Sequence, residues 1–109
     1  MAYRVELTKS AETDLEELYL WVVARAPNQG ARWFNGLEKT ILTLDRYPER
    51  CPLAPESFDP EHPVRVLHYG RARSLYRILF WIDSAERIVN VLNVRRGARH
   101  TGRPAGPPR

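Results

Sequence analysis

Several familiar devices are missing from this sequence, and each absence removes a class of function. One cysteine, Cys51, stands in 109 residues, so no intrachain disulfide framework staples the fold, and the lone thiol fits a reducing compartment as an inert side chain. No apolar run approaches the ~20 residues that cross a bilayer. The opening segment MAYRVELTKSAETDLEELYLWVV carries acids where a secretory leader carries bases, which leads us to expect a soluble, cytoplasmic protein with no membrane association. His62, His68 and His100 lack metal-ligand spacing and Cys51 has no cysteine partner, so neither a metal nor another cofactor is expected. A Gly-rich phosphate loop and a Gly-x-Ser-x-Gly elbow are both absent.

Acid is scarce in the C-terminal part of the chain. Residues 64–109 hold ten arginines against only Asp83 and Glu86, whereas residues 1–63 hold seven Lys or Arg against eleven Asp or Glu, so the net charge of +4 conceals two regions of opposite sign. Lysine does not contribute to the basic region, since the chain has only Lys9 and Lys39. Arginine's planar fork pairs two-pronged with phosphate or carboxylate and stacks on bases, which an ammonium cannot do. The expected partner is therefore an anion: RNA, DNA or an acidic protein segment.

What is present reads as a single domain over residues 1–100, long enough to bury about two-thirds of its unfolded surface. Residues 101–109 (TGRPAGPPR) offer no apolar anchor and read as a mobile tail. Tyr3 to Leu7 alternates apolar and charged residues as an edge strand does. Thr8 or Ser10 can cap a helix whose stripe is Ala11, Leu15, Leu18 and Val22, ending before Pro27. Asn28 offers a cap for a second helix, with Phe34, Leu37, Ile41 and Leu44 as its stripe and Pro48 as its end. The short link implies an antiparallel helical hairpin. Trp21 and Trp33 lie off the centre of those stripes and read either as packing or as exposed anchors.

Pro48 to Pro63 is proline-rich and without periodicity, hence a surface loop. Val64 to Tyr69 resumes strand character, Gly70 to Arg73 turns the chain, and Leu75–Ile82 with Arg87–Val94 forms a β-hairpin closed by Asp83 to Glu86. Alternation puts Tyr76, Ile78, Phe80 and Ile82 on one face and Leu75, Arg77, Leu79 and Trp81 on the other. The last strand breaks alternation near Leu92, the mark of a bulge or of a strand covered on both faces. The expected architecture is α+β, in the order β-α-α-β-β-β. The helical hairpin lies on one face of a sheet whose last three strands are antiparallel, leaving the other face to receive something else.

Arg77 is the first candidate functional residue, because a guanidinium in mid-strand keeps its charge and must either be paired or face a site. Arg65, Arg71, Arg73, Arg95, Arg96 and Arg99 join it as a candidate binding surface; the alternative for each is a solvated charge or an ordinary surface ion pair. Arginine cannot act as a base, so catalysis would require His100, or failing that His68, Tyr69 or Tyr76, to move a proton. For His100 the plain alternative is a solvated tail residue.

The segments Ala11, Asp14 and Leu15, Leu44-Tyr47-Pro48, Tyr76 to Asp83, and Val91 to Arg99, taken in order and spacing, resemble the RelE/ParE superfamily of type II toxin-antitoxin toxins, the plasmid-stabilisation proteins. The resemblance implies a growth-inhibiting toxin held in a hetero-oligomer by a cognate antitoxin with an acidic or amphipathic segment. It also implies one of two targets: DNA gyrase for ParE-like members, or ribosome-bound mRNA for RelE-like endoribonucleases. In the nuclease pattern Arg77 and Arg95 or Arg96 match the strand arginines. The paired strand lysines of that pattern are absent, no tyrosine follows Arg99, and the helical pair is long, which favours the ParE-like side. A non-toxic nucleic-acid-binding module is the remaining alternative.

Overall fold

Thr8 settles where the first helix begins. Its side-chain oxygen accepts the Ala11 backbone N–H at 3.1 Å, and the same hydroxyl donates to the Leu92 carbonyl at 3.0 Å, so one residue caps a helix and ties it to the last strand. The computed structural model describes residues 2–97. In chain order these form β1 (Arg4–Leu7), α1 (Lys9–Arg25), α2 (Pro27–Leu42), β2 (Val64–Tyr69), β3 (Tyr76–Asp83) and β4 (Ile88–Arg96). This is the α+β order expected from the sequence.

The turn between the helices is tighter than a side-chain cap at Asn28 would allow. Ala26 is the only linking residue, Pro27 occupies the first helical position, and Asn28 lies inside α2. Proline suits that position because its fixed φ is already helical and its missing N–H has no partner to lose. Gly30 permits the approach, since a Cβ there would sit 2.4 Å from the Val22 carbonyl oxygen. At the far end α2 gives way after Leu42 to a single 3-10 turn, Thr43–Asp45, ahead of Pro48, and Tyr47 takes a left-handed conformation with φ 50°.

The sheet runs β1-β4-β3-β2. β2, β3 and β4 pair antiparallel, while β1 joins the β4 edge in parallel, making the sheet mixed. The direction follows from the route: the chain leaves β1, crosses one face as the helical hairpin, and re-enters at the far edge, so that β4 comes back alongside β1. Asn93 pairs with Leu79 and Val91 with Phe80, so Leu92 is the extra residue of a bulge. α1 docks there. One Asp14 carboxylate oxygen accepts the Val94 N–H at 2.9 Å and the Asn93 amide at 3.3 Å.

One sheet face and the helices share the core. Ala11, Leu15 and Leu18 of α1 and Phe34, Leu37 and Ile41 of α2 pack with Tyr76, Ile78 and Phe80 of β3 and Val89, Val91 and Val94 of β4. Phe80, Leu37 and Ile78 are fully buried, each contributing about 1.5–3 kcal/mol. Trp33 belongs to this layer, its ring 5.1 Å from Tyr69 and 5.3 Å from Tyr76. Trp21 does not: it is 46% exposed, with the Arg25 guanidinium 4.1 Å above its ring. No helix among the described residues is long and apolar enough to cross a membrane.

The second face is partly covered from within. Ala54, Val66 and Leu79 form a small buried cluster there, with Val64 against it. The proline-rich segment reaches it by running along the β2 edge, where Ala54 donates to the Val64 carbonyl and Val66 to the Pro52 carbonyl.

Asp14→Ala removes the acceptor of a buried strand amide while leaving α1's stripe intact. It is expected to destabilise the protein by about 1–3 kcal/mol, read as a lower urea midpoint at unchanged slope.

Candidate functional site

The register of the three antiparallel strands decides which arginines meet. His68 pairs with Arg77, and Arg77 with Arg95, so these three form one row across β2, β3 and β4 on the face away from the helices. The adjoining row, Tyr69, Tyr76 and Arg96, belongs to the helix-facing side. Arg96 leaves the sheet there and donates to the Arg73 carbonyl at 2.9 Å. Arg71 and Arg73 stand exposed in the turn between β2 and β3. Gly70 makes that turn possible at φ +86°, where a Cβ would collide with the Ser74 carbonyl. Arg71, Arg73, Arg77, Arg95 and Arg96 thus gather at one end of the sheet and wrap around it rather than lining one face.

Arg65 stands apart. It pairs with Phe80, three rows from Arg77 and on the opposite face, and donates to the Cys51 carbonyl at 2.6 Å and to the Glu49 carbonyl at 3.4 Å. It pins the loop that follows α2. Arg99 and His100 lie outside the described residues, as does the expected tail.

Arg77 is paired. Its Nη2 donates to Glu56 Oε1 at 2.6 Å, and the two side chains are only 19% and 16% exposed. Hydrogen bonding to Arg77, set against some desolvation, holds the Glu56 carboxyl below its ordinary value, with Arg95 adding a smaller pull in the same direction. Among the described residues, no carboxylate lies within ion-pair distance of Arg71, Arg73, Arg95 or Arg96. The cluster therefore holds one neutralised guanidinium with exposed ones around it.

The proton-transfer candidates separate clearly. Tyr69 Oη donates to the Trp33 carbonyl at 2.7 Å and burial raises its pKa, while Tyr76 is 9% exposed against Trp33. Both are committed to packing. His68 is exposed, and desolvation followed by the Arg77 charge lowers its pKa, which keeps the ring neutral at pH 7. Burial pushes the Cys51 thiol up, leaving little thiolate. No group of three or more His, Cys, Asp or Glu able to hold a metal occurs among the described residues.

Glu56 escapes sequence reasoning because it lies in a segment without periodicity, 21 positions before its partner; the only signal is that an arginine within a strand demands an anion, although Arg77 is the second residue of β3 and not mid-strand as the sequence suggests. The same segment bears Leu53 at 57% and Phe58 at 84% exposure, large apolar side chains left in water.

The family model for the ParE toxin of the type II toxin-antitoxin system parDE matches residues 5–101. The chain belongs to the ParE toxin family. Solved structures of like fold include the chromosomal ParDE toxin-antitoxin system of P. aeruginosa, with a TM-score of 0.70 at 16% identity over 89% of this chain and 98% of that one. The intact E. coli RelBE toxin-antitoxin complex gives a TM-score of 0.61 at 18% identity, covering 90% of this chain and all of the other, 100%. The RelBE2 toxin-antitoxin complex of Mycobacterium tuberculosis gives 0.56 at 25% identity, covering 90% and 94%. No curated protein matches the sequence significantly. This ParE-family toxin is thus a type II toxin-antitoxin toxin of the ParE/RelE superfamily, as the hairpin and strand-exit residues led us to expect.

In this toxin the Glu56 carboxyl is held low when folded, so its contribution to stability is complete above the ordinary glutamate value of 4.5 and fades as pH falls through the folded one. Glu56→Gln is expected to cost about 1–3 kcal/mol near pH 7. In thermal unfolding across pH, the gap between wild type and variant should shrink as the medium becomes more acidic than pH 4.5.

Proposed function

We propose that this toxin arrests growth by acting on DNA gyrase and is held inactive by a cognate antitoxin whose acidic or amphipathic segment docks on the arginine-rich end of the sheet. The observation that carries the choice of target is the Arg77–Glu56 pair at 2.6 Å. Cleavage of mRNA would need the Arg77 guanidinium to stabilise phosphate charge, and here a carboxylate already occupies it. A carboxylate at that position repels a phosphodiester instead of receiving one. The exposed arginines remain suited to recognition, which needs fixed positive charge and no proton transfer.

A second reading, ribosome-dependent cleavage of mRNA, draws on His68. It is the histidine paired with Arg77 across the strands, and its pKa is shifted toward the neutral form that a base requires. In that reading Arg77 and Arg95 stabilise phosphate charge and His68 or His100 moves the proton.

Expression without antitoxin in a bacterial host is expected to stop growth, and purified toxin to inhibit gyrase supercoiling while leaving mRNA on programmed ribosomes intact. Ribosome-dependent cleavage lost in His68→Ala would establish the second reading. Steeply salt-dependent nucleic-acid binding in a host that grows normally would make the protein a plain binding module.

A further inference from the structure

The second sheet face holds a seat for one carboxylate, and the chain fills it itself. Arg77 projects from the second position of β3 with Arg95 beside it in the row and His68 on the other side. Glu56 reaches this seat from a segment with no regular structure. Up to Ala54 the segment is tied to β2, with the Val66 N–H donating to the Pro52 carbonyl at 3.0 Å, the Ala54 N–H to the Val64 carbonyl at 2.8 Å, and Ala54 in the small cluster with Val66 and Leu79. Past Ala54 the attachments near the seat are fewer: the Ser57 hydroxyl accepting the Val64 N–H at 2.9 Å and the Ser57 N–H donating to the Ala54 carbonyl at 3.0 Å. On either side of Glu56, Leu53 and Phe58 are exposed.

We propose that Glu56 is an internal occupant of this seat, displaced when an acidic, amphipathic segment of a partner protein inserts its own Asp or Glu against Arg77 and Arg95. This rests on the reading that an antitoxin neutralises the toxin, and adds how the surface is kept closed until then. Exchange of one carboxylate for another keeps the Arg77 charge compensated throughout, so the exchange is far less costly than opening an empty ion pair. The Arg77 and Glu56 side chains are only 19% and 16% exposed, which favours a carboxylate that replaces Glu56 one for one over a phosphodiester flanked by sugars. Phe58, two residues past Glu56 and 84% exposed, supplies apolar surface that an amphipathic segment covers and a nucleic-acid backbone does not, whereas Leu53 bridges Arg65 and so belongs to the other face. The loop thus acts as a latch, and its acid competes with the partner's.

The test compares full-length wild type, Glu56→Gln and Glu61→Gln for binding of a short poly-L-glutamate peptide and a short oligothymidylate, by fluorescence anisotropy at fixed salt. Glu61 is exposed, so its variant makes the same change in net charge without touching the seat. Glu56→Gln is expected to bind poly-glutamate about tenfold more tightly than Glu61→Gln does, with the oligothymidylate gaining equally in both. Equal gains for the peptide would overturn the latch, and a selective gain for the oligothymidylate would overturn the carboxylate preference. Wild type supplies an independent reading should Glu56→Gln fold poorly: saturating poly-glutamate should speed hydrogen exchange at the Val64 amide, and unchanged or slower exchange contradicts displacement. Neither readout depends on gyrase or on growth arrest.

Discussion

A guanidinium that cannot lose its charge sits at the start of β3, one residue inside the strand and not in its middle as alternation over Leu75–Ile82 suggests, and the folding of the second sheet face is organised around that constraint. Water does not reach Arg77 freely, since its side chain is 19% exposed, so the chain must supply an anion or leave a costly bare charge. Glu56 supplies it. To do so the chain leaving α2 runs along β2 instead of looping out, with Arg65 tying down the Cys51 carbonyl and Pro52 and Ala54 exchanging hydrogen bonds with Val66 and Val64. Ala54 then closes over Leu79. One ion pair, one arginine anchor and one small apolar cluster together cover part of a face that strand alternation alone would leave open.

The helix side depends on a different device, the bulge at Leu92. Slipping one residue there turns the last part of β4 so that its backbone meets Thr8 and Asp14 at the start of α1. The helical hairpin is thereby fixed against the same strand that delivers Arg95 and Arg96 to the end of the sheet. The arginine cluster is accordingly mounted on a rigid frame, with its free charges at the strand exits and the β2–β3 turn and its neutralised member beneath. Such an arrangement presents fixed positive charge to an anion, because guanidinium groups hold their protons, while the nearby tyrosines face the core.

Much of this was legible in the residues themselves. The stripes Ala11-Leu15-Leu18 and Phe34-Leu37-Ile41 pick out the helical faces, the alternation from Tyr76 to Ile82 assigns the β3 faces, and the broken alternation in β4 leaves a bulge near Leu92 as one of two readings, which the register decides. The parallel union of β1 with β4 was not legible, since strand direction follows from the path of the whole chain and not from any local pattern. Nor was the separation of Arg65 from Arg77: the two differ in face only once the register of β2 on β3 is fixed. Tyr69 and Tyr76 carry hydroxyls that suggest chemistry, yet Trp33 and the Gly36 surface draw them inward. Glu56 was the least accessible of all, because proline-rich irregular chain carries no periodicity from which its aim can be read.

The central claim is that Arg77 is satisfied from within the chain, and a double-mutant cycle addresses it most directly. Urea unfolding of wild type, Glu56→Gln, Arg77→Gln and the double variant at neutral pH should give a coupling energy of about 1–3 kcal/mol, with the double variant more stable than the sum of the single losses implies. Single effects that simply add, to within about 0.5 kcal/mol, would mean that the two side chains do not hold one another and that Arg77 is answered by something else.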